Sequence, residues 1–174
     1  MVVVTVLKGL GVVVIAMAMA ACTQPTSPSN KIPLASTFDT PEALAQAVLA
    51  RLASKDTSGL KALALTEQEF KDHVWPELDT SRPERNVPFD YAWGQMKQRS
   101  EGSLNGTVGR YAGTSLRFVR TRYTGDTTQY KSFVVMRESE IVAVDETGRE
   151  LVLQLFGSAL LKDGRYKVFS YVVD

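Results

Sequence analysis

Residues 150–174 read ELVLQLFGSALLKDGRYKVFSYVVD, which is the pattern of two β-strands joined by a tight turn. β-Branched and aromatic residues dominate the segment, and Gly157 interrupts it where a β-bulge is expected. Asp163-Gly164 is a dipeptide typical of two-residue hairpins. The sequence therefore predicts one strand over residues 150–161 and a second over residues 166–173.

The same period of two extends upstream from this hairpin. Residues 116–123 are predicted as a strand, and residues 124–126 as a turn. Residues 130–145 form either one long bent strand or two short ones, followed by a turn at residues 146–148. The C-terminal half is thus an antiparallel meander.

The segment before residue 105 has helical patterns instead. Thr40-Pro41-Glu42 provides a capping hydroxyl, a proline in the first turn and an acid near the positive end of the helix dipole. Leu44, Val48 and Leu52 follow on one face, so the helix is amphipathic. A short second helix passes through Leu60 and Leu63, and Thr66 and Glu69 form a capping box at the start of a third. A further helix is predicted from Phe89 to about Leu104, where Asn105-Gly106 ends it. Helices followed by antiparallel strands predict the α+β class.

The first 22 residues are apolar and end in Ala20-Ala21-Cys22, which contains the only cysteine. Lys8 precedes an uncharged run, as in a secretory signal. With the cysteine directly after small residues, the segment resembles a bacterial lipoprotein signal, in which this cysteine is lipidated and becomes the new N-terminus. An uncleaved anchor is the alternative, because residues 2–21 reach the ~20 residues that a spanning helix needs.

The lipoprotein resemblance implies three parts and a location. Residues 1–21 are the signal peptide, residues 22–36 are the lipidated Cys22 with a flexible Ser/Pro-rich tether, and residues 37–174 are the domain. The lipid attaches the protein to a membrane of the cell envelope. Because Thr23 follows the cysteine where Asp favours inner-membrane retention, the outer membrane is the expected location in a Gram-negative cell.

Composition excludes several classes of site and partner. One cysteine cannot form an intramolecular disulfide, a thiolate zinc site or an iron–sulfur centre. One histidine and no D-x-D-x-D loop give no predicted metal site, and no cofactor motif is present. Without residues 1–21, 19 basic residues face 19 acidic ones, so bulk attraction to nucleic acid is not predicted.

The element order, with the strings VPFDYAWGQM (residues 87–96) and residues 150–174, resembles the NTF2-like domain, also called cystatin-like or SnoaL-like, of bacterial envelope lipoproteins. The resemblance implies N-terminal helices packed on a strongly bent antiparallel sheet, with a ligand pocket between them. It also implies dimerisation through the outer sheet face in many members. Both faces of the last two strands are apolar, with Val152, Phe156 and Leu160 on one of them. This pattern independently predicts that a second copy or another envelope protein covers that face.

Enzymes of this superfamily use an Asp, or an Asp with a His, in the pocket. The corresponding candidates here are Asp72, His73, Asp90 and Tyr91. The alternative for His73 is a half-buried capping residue near a helix C-terminus, where the dipole favours a cation. The alternative for Asp90 and Tyr91 is a first helical turn, where acids are favoured regardless of function.

A pair of arginines is the second candidate site. Arg120 and Arg122 share a strand face with Leu116 and Phe118, a face expected to meet the core, and would there hold a carboxylate, phosphate or lipid headgroup. The other register places Val119, Thr121 and Tyr123 inside and leaves both arginines in water. The predicted walls of a pocket or core are Phe89, Trp93, Met96 and Tyr123.

Three functions remain open at this point. The first is non-catalytic binding of a small ligand or partner protein, with Arg120, Arg122, Trp93, Tyr91 and His73 as ligand-binding candidates. The second is a proton-transfer or hydrolytic enzyme that uses His73 or Asp90, and the third is a structural subunit of an envelope assembly. The enzyme requires His73 and a carboxylate to converge in one concave pocket. The binding module requires a cavity without such a pair.

Overall fold

The computed structural model describes residues 31–173, so the predicted signal peptide, Cys22 and the tether up to residue 30 lie outside the described residues. The fold is α+β, as predicted. Among the described residues, no helix is both long and apolar enough to cross a membrane. The helices are α1 (Pro41–Ala53), α2 (Thr57–Leu63), α3 (Glu67–Glu69) and α4 (Phe89–Tyr111), with a π turn (Phe70–Val74) after α3 and three 3₁₀ turns (Trp75–Glu77, Asp79–Ser81, Pro83–Arg85) before α4. The strands are β1 (Arg117–Tyr123), β2 (Thr127–Gln129), β3 (Val134–Arg137), β4 (Ser139–Val144), β5 (Glu150–Leu153), β6 (Ser158–Lys162) and β7 (Arg165–Ser170).

Local capping signals place the first helices as predicted. The Thr40 hydroxyl accepts a hydrogen bond from the Ala43 amide at 3.0 Å at the start of α1. At α3, the Thr66 hydroxyl accepts from the Glu69 amide, and the Glu69 carboxylate accepts from the Thr66 amide at 2.8 Å. The capping box is therefore confirmed.

The predicted end of α4 near Leu104 is wrong. The helix continues through Asn105-Gly106 to Tyr111. Leu104 and Thr107 are buried, and Val108 and Tyr111 pack against the core. Burial of these side chains outweighs the roughly 1 kcal/mol that a helical glycine costs relative to alanine.

The strands form two antiparallel sheets, with orders β1-β4-β5 and β2-β3-β6-β7. The predicted single strand over residues 150–161 is wrong, since it divides into β5 and β6 around Gly157. A Cβ at Gly157 would lie 1.4 Å from the Val172 carbonyl oxygen, so the backbones approach there more closely than any side chain allows. For residues 130–145, the alternative of two strands is correct, and Glu138 separates β3 from β4.

The hairpin between β6 and β7 is confirmed. Lys162 pairs with Arg165, which leaves Asp163 and Gly164 as a two-residue turn. Both turn residues have positive φ angles, 51° and 74°, as such turns require.

Two hydrophobic clusters cover the two faces of the larger sheet. Ala159 and Val168 belong to a cluster with α1 and α2, whereas Val135 and Leu160 pack with Phe70 and Val74. The chain itself thus covers the second apolar face of β6, where the sequence predicted a partner. Phe156 is also fully buried, and Val152, in β5, remains 57% exposed.

The segment before α1 is held to the domain by buried charges. Glu69 accepts a hydrogen bond from the Ala35 amide at 2.7 Å, and Lys167 donates to the Ala35 carbonyl at 2.6 Å. The two side chains form an ion pair of 3.5 Å and are each at most 1% exposed. Residues 32–36, predicted as tether, therefore lie against the domain.

Candidate functional site

The two candidate arginines of β1 point away from the core. A β-bulge between Phe118 and Arg120 changes the register, so Thr121 and Tyr123 lie on the inner face together with Phe118. Arg120 and Arg122 are more than half exposed and pair with Glu150 at 3.2 Å and with Glu140 at 2.5 Å. The placement on the core face is therefore wrong. The alternative register holds for Thr121 and Tyr123 but not for Val119, which is 38% exposed because of the bulge.

Tyr123 is a core residue rather than a wall of an open pocket. It packs against the cluster beneath α1, and its hydroxyl has no hydrogen-bond partner within residues 31–173. Desolvation by burial raises the pKa of Tyr123 well above its ordinary value.

His73 is occupied by a structural contact. It is buried in the π turn, and its Nε2 donates to the Ile32 carbonyl at 2.6 Å. Asp72 accepts from the Ile32 amide and from Gln68, and the Gln68 hydrogen bond in particular lowers the pKa of Asp72. The pair therefore fastens the segment before α1, and neither residue lines a cleft described below.

The other candidates lie on α4 and separate from one another. Asp90 is exposed and Tyr91 is 62% exposed, and neither lines the clefts described below. Trp93 and Phe89 turn inward, and the Trp93 ring lies 5.4 Å from that of Phe70. Of the ligand-binding candidates on α4, Trp93 is the one that lines a groove, as its position on the apolar stripe predicts.

A cleft of about 350 Å³ opens between α4 and the break in the strands, and we call it the α4 cleft. Beside it, α4 is joined to the C-terminal segment because the Ser100 hydroxyl accepts a hydrogen bond from the Tyr171 amide at 3.0 Å. The lining combines apolar side chains with serines and two arginines. These residues include Gln95, Met96 and Arg99 from α4, and Arg137, Glu138, Ser139, Gln154, Phe156, Ser158, Phe169 and Ser170 from the strands and their breaks.

A smaller groove of about 260 Å³ adjoins the α4 cleft, and we call it the Trp93 groove. Met96 and Phe169 line both spaces and so form the partition between them. Leu65 and Leu104 supply further apolar surface beside Trp93. A third, more polar depression of about 670 Å³ lies farther along α4, beside Gly106 and Arg110.

The α4 cleft is rich in hydrogen-bond donors. Arg137 donates to the Thr128 hydroxyl at 2.5 Å through Nη1, which leaves its Nε and Nη2 groups for other partners. Arg99 has no ion pair with any described residue. The carboxylate of Glu138 lies 3.3 Å from the Thr124 hydroxyl, at the β1–β2 turn.

The titratable residues of the cleft lining are Arg99, Arg137 and Glu138. Neither a histidine nor a cysteine lines the cleft. Over residues 31–173, no group of three or more His, Cys, Asp or Glu side chains is arranged to hold a metal ion.

The sequence interpretation missed Arg99 and Arg137. Arg99 lies three residues after Met96, on the stripe that begins at Phe89, and this spacing was a usable signal. Arg137 had no such signal in the sequence, because its position depends on the break between β3 and β4.

In comparisons with family models, curated proteins and solved structures, nothing matches this chain.

Proposed function

We propose that this protein is a lipid-anchored lipoprotein of the cell envelope whose domain binds a small amphipathic ligand in the α4 cleft without catalysing a reaction. The observation that carries the proposal is the cleft itself, about 350 Å³ with Met96 and Phe169 beside two arginines. Concave sites of this size, mostly apolar with a few placed polar groups, are typical of small-molecule binding.

Binding is favoured over an enzyme by where the catalytic candidates lie. His73 donates to the Ile32 carbonyl, and Asp90 is exposed on the first turn of α4. A general base must reach its substrate within hydrogen-bond distance, directly or through one water. Neither residue lines the α4 cleft, and the one carboxylate in its lining is that of Glu138, which lies beside the Thr124 hydroxyl.

The proposed domain type is the NTF2-like cone. Three chain segments pass from one sheet to the other, through residues 124–126, Glu138 and residues 154–157. A single sheet folded along one line would produce this arrangement, since β1 and β2, β3 and β4, and β5 and β6 are consecutive in the chain. The α4 cleft is lined by residues from two of these segments, Glu138 and residues 154–157. The resemblance places a pocket between the helices and the sheet.

The proposed anchor is a lipid on Cys22, with the outer membrane as its destination. Its support is the uncharged run that ends in Ala20-Ala21-Cys22. Ile32, which the domain holds through His73, lies ten residues after Cys22 in the sequence.

Native mass spectrometry of the full chain, purified from membranes in detergent, tests the binding proposal. We expect a small-molecule adduct that is lost on denaturation. Gln95→Trp places a large ring in the α4 cleft and should abolish the adduct. Gln98→Trp is the matched control, because Gln98 is an exposed glutamine of the same helix that does not line the cleft.

Two outcomes would contradict the proposal. One is a wild-type chain that carries no adduct. The other is an adduct that survives equally in Gln95→Trp and Gln98→Trp, which would place the ligand elsewhere. Thermal unfolding of both variants shows whether each remains folded.

A further inference from the structure

We infer that the ligand of the α4 cleft is an anionic amphiphile, with a carboxylate or phosphate head between Arg99 and Arg137 and an apolar body against Met96 and Phe169. This inference rests on the proposed function, because it concerns the same cleft. It adds the charge of the ligand and its orientation.

The first step is that neither arginine of the cleft has an acid partner. Arg99 comes from α4 and Arg137 from the end of β3, so two separate elements bring a guanidinium-bearing residue to the same cleft. Most other described arginines have acid partners, such as Arg122 with Glu140 and Arg165 with Asp39, although Arg110 and Arg117 do not. No described carboxylate lies within 4.0 Å of Arg99 or Arg137, and an anion would provide the missing partner.

The second step is that Arg137 is already oriented. It is half-buried, and its bond to the Thr128 hydroxyl fixes one edge of the guanidinium. Glu138 also lines the cleft, but its carboxylate lies beside Gly125 and Thr124 and forms no ion pair with either arginine. Preorganised donors lose little side-chain entropy on binding, which favours a tight contact.

The third step is an additional neutral donor near the arginines. Ser158 is 9% exposed and lines the cleft, where its hydroxyl is a neutral donor. The Ser139 hydroxyl, by contrast, donates to the Phe156 carbonyl. An acceptor on the ligand would receive a hydrogen bond from Ser158.

The fourth step is the apolar end. About 350 Å³ corresponds to roughly a dozen water molecules at about 30 Å³ each, which accommodates a body of about eight carbons with its head. Met96 divides this space from the Trp93 groove, and an unbranched thioether side chain moves easily. A ligand that displaces Met96 would therefore change the surroundings of Trp93.

A fluorescence titration tests the charge of the ligand. The full chain has two tryptophans, so Trp75→Phe leaves Trp93 as the only indole. The probes are octanoate and 1-octanol, which share a chain length and differ in charge, compared at one fixed detergent concentration. We expect octanoate to bind at least tenfold more tightly than 1-octanol.

Arginine variants in the Trp75→Phe background locate the head. Arg99→Gln and Arg137→Gln should each weaken octanoate binding about tenfold and leave 1-octanol binding unchanged. Arg82→Gln is the control, because Arg82 is an exposed arginine in the link before α4. Arg99 is exposed on its helix and makes no ion pair with a described residue, so its variant keeps the fold even if Arg137→Gln does not.

Equal binding of the two probes would overturn the inference, and so would octanoate binding that ignores both arginines. Failure of both probes to bind would overturn it as well. None of these results bears on whether the native chain carries an adduct. The proposed function is therefore tested separately, by the mass-spectrometry experiment. Octyl phosphate, titrated in parallel, shows which of the two heads is preferred.

Discussion

At the scale of single residues, the buried pair of Glu69 and Lys167 joins three parts of the chain. Glu69 completes the capping box of α3, Lys167 lies in β7, and both bind Ala35 before α1. Desolvation lowers the pKa of Lys167, and the Glu69 carboxylate opposes that shift. The capping role of Glu69 is predictable from local spacing, but its ion pair is not, because Lys167 lies far away in the sequence.

Lys167→Met should destabilise the protein by about 3–5 kcal/mol, because it leaves the Glu69 charge buried without its partner. Adding Glu69→Gln should recover part of this loss, since the amide removes the charge and keeps an acceptor. Chemical denaturation with circular dichroism measures both free energies of unfolding. A loss below about 1 kcal/mol in Lys167→Met would contradict this account of the pair.

The same variant alters the pH dependence of stability. The folded-state pKa of Lys167 lies below its unfolded value, so the unfolded chain binds more protons between the two values, and stability rises with pH in that window. The difference in unfolding free energy between wild type and Lys167→Met should therefore grow as the pH is raised towards 10. A difference that shrinks would contradict the lowered pKa.

At the scale of elements, two glycines show how far a local sequence pattern predicts the ends of helices and strands. Asn105-Gly106 has the composition of a helix end. The helix α4 nevertheless continues, because the flanking residues Leu104 and Thr107 are buried. Gly157 was recognised as an interruption, but the separation of β5 from β6 depends on the close approach of Val172. Tertiary contacts decide both cases, and a local pattern does not contain them.

Gly106→Ala and Gly157→Ala should have opposite effects on stability. At Gly106 no atom lies within 4 Å of an added Cβ, so alanine should stabilise α4 by about 0.5–1 kcal/mol. At Gly157 the added Cβ would lie 1.4 Å from the Val172 oxygen, so a loss of about 3 kcal/mol is expected. Urea denaturation compares the two, and equal effects would refute the assigned boundaries of α4 and β6.

At the scale of the whole molecule, the order of elements determines the α+β class, and that order is visible in the sequence. The covering of the second sheet face was not predictable, because Leu160 packs with Phe70 and Val74 from a distant segment. The α4 cleft has the same origin, since Met96, Arg137 and Phe169 come from three separate elements. Helical spacing identifies Trp93 and Met96 and places Arg99 near them, and only the packing of the elements brings Arg137 beside them.

The central claim is that the α4 cleft is the ligand site, and methionine-methyl NMR of the full chain tests it most directly. Met96 lines the cleft, whereas Met136, in β3, packs against the cluster beneath α1 and serves as the internal control. On saturation with octanoate, the account predicts a clear shift of the Met96 methyl resonance and an unchanged Met136 resonance. An unchanged Met96 resonance, or a shift confined to Met136, would contradict it.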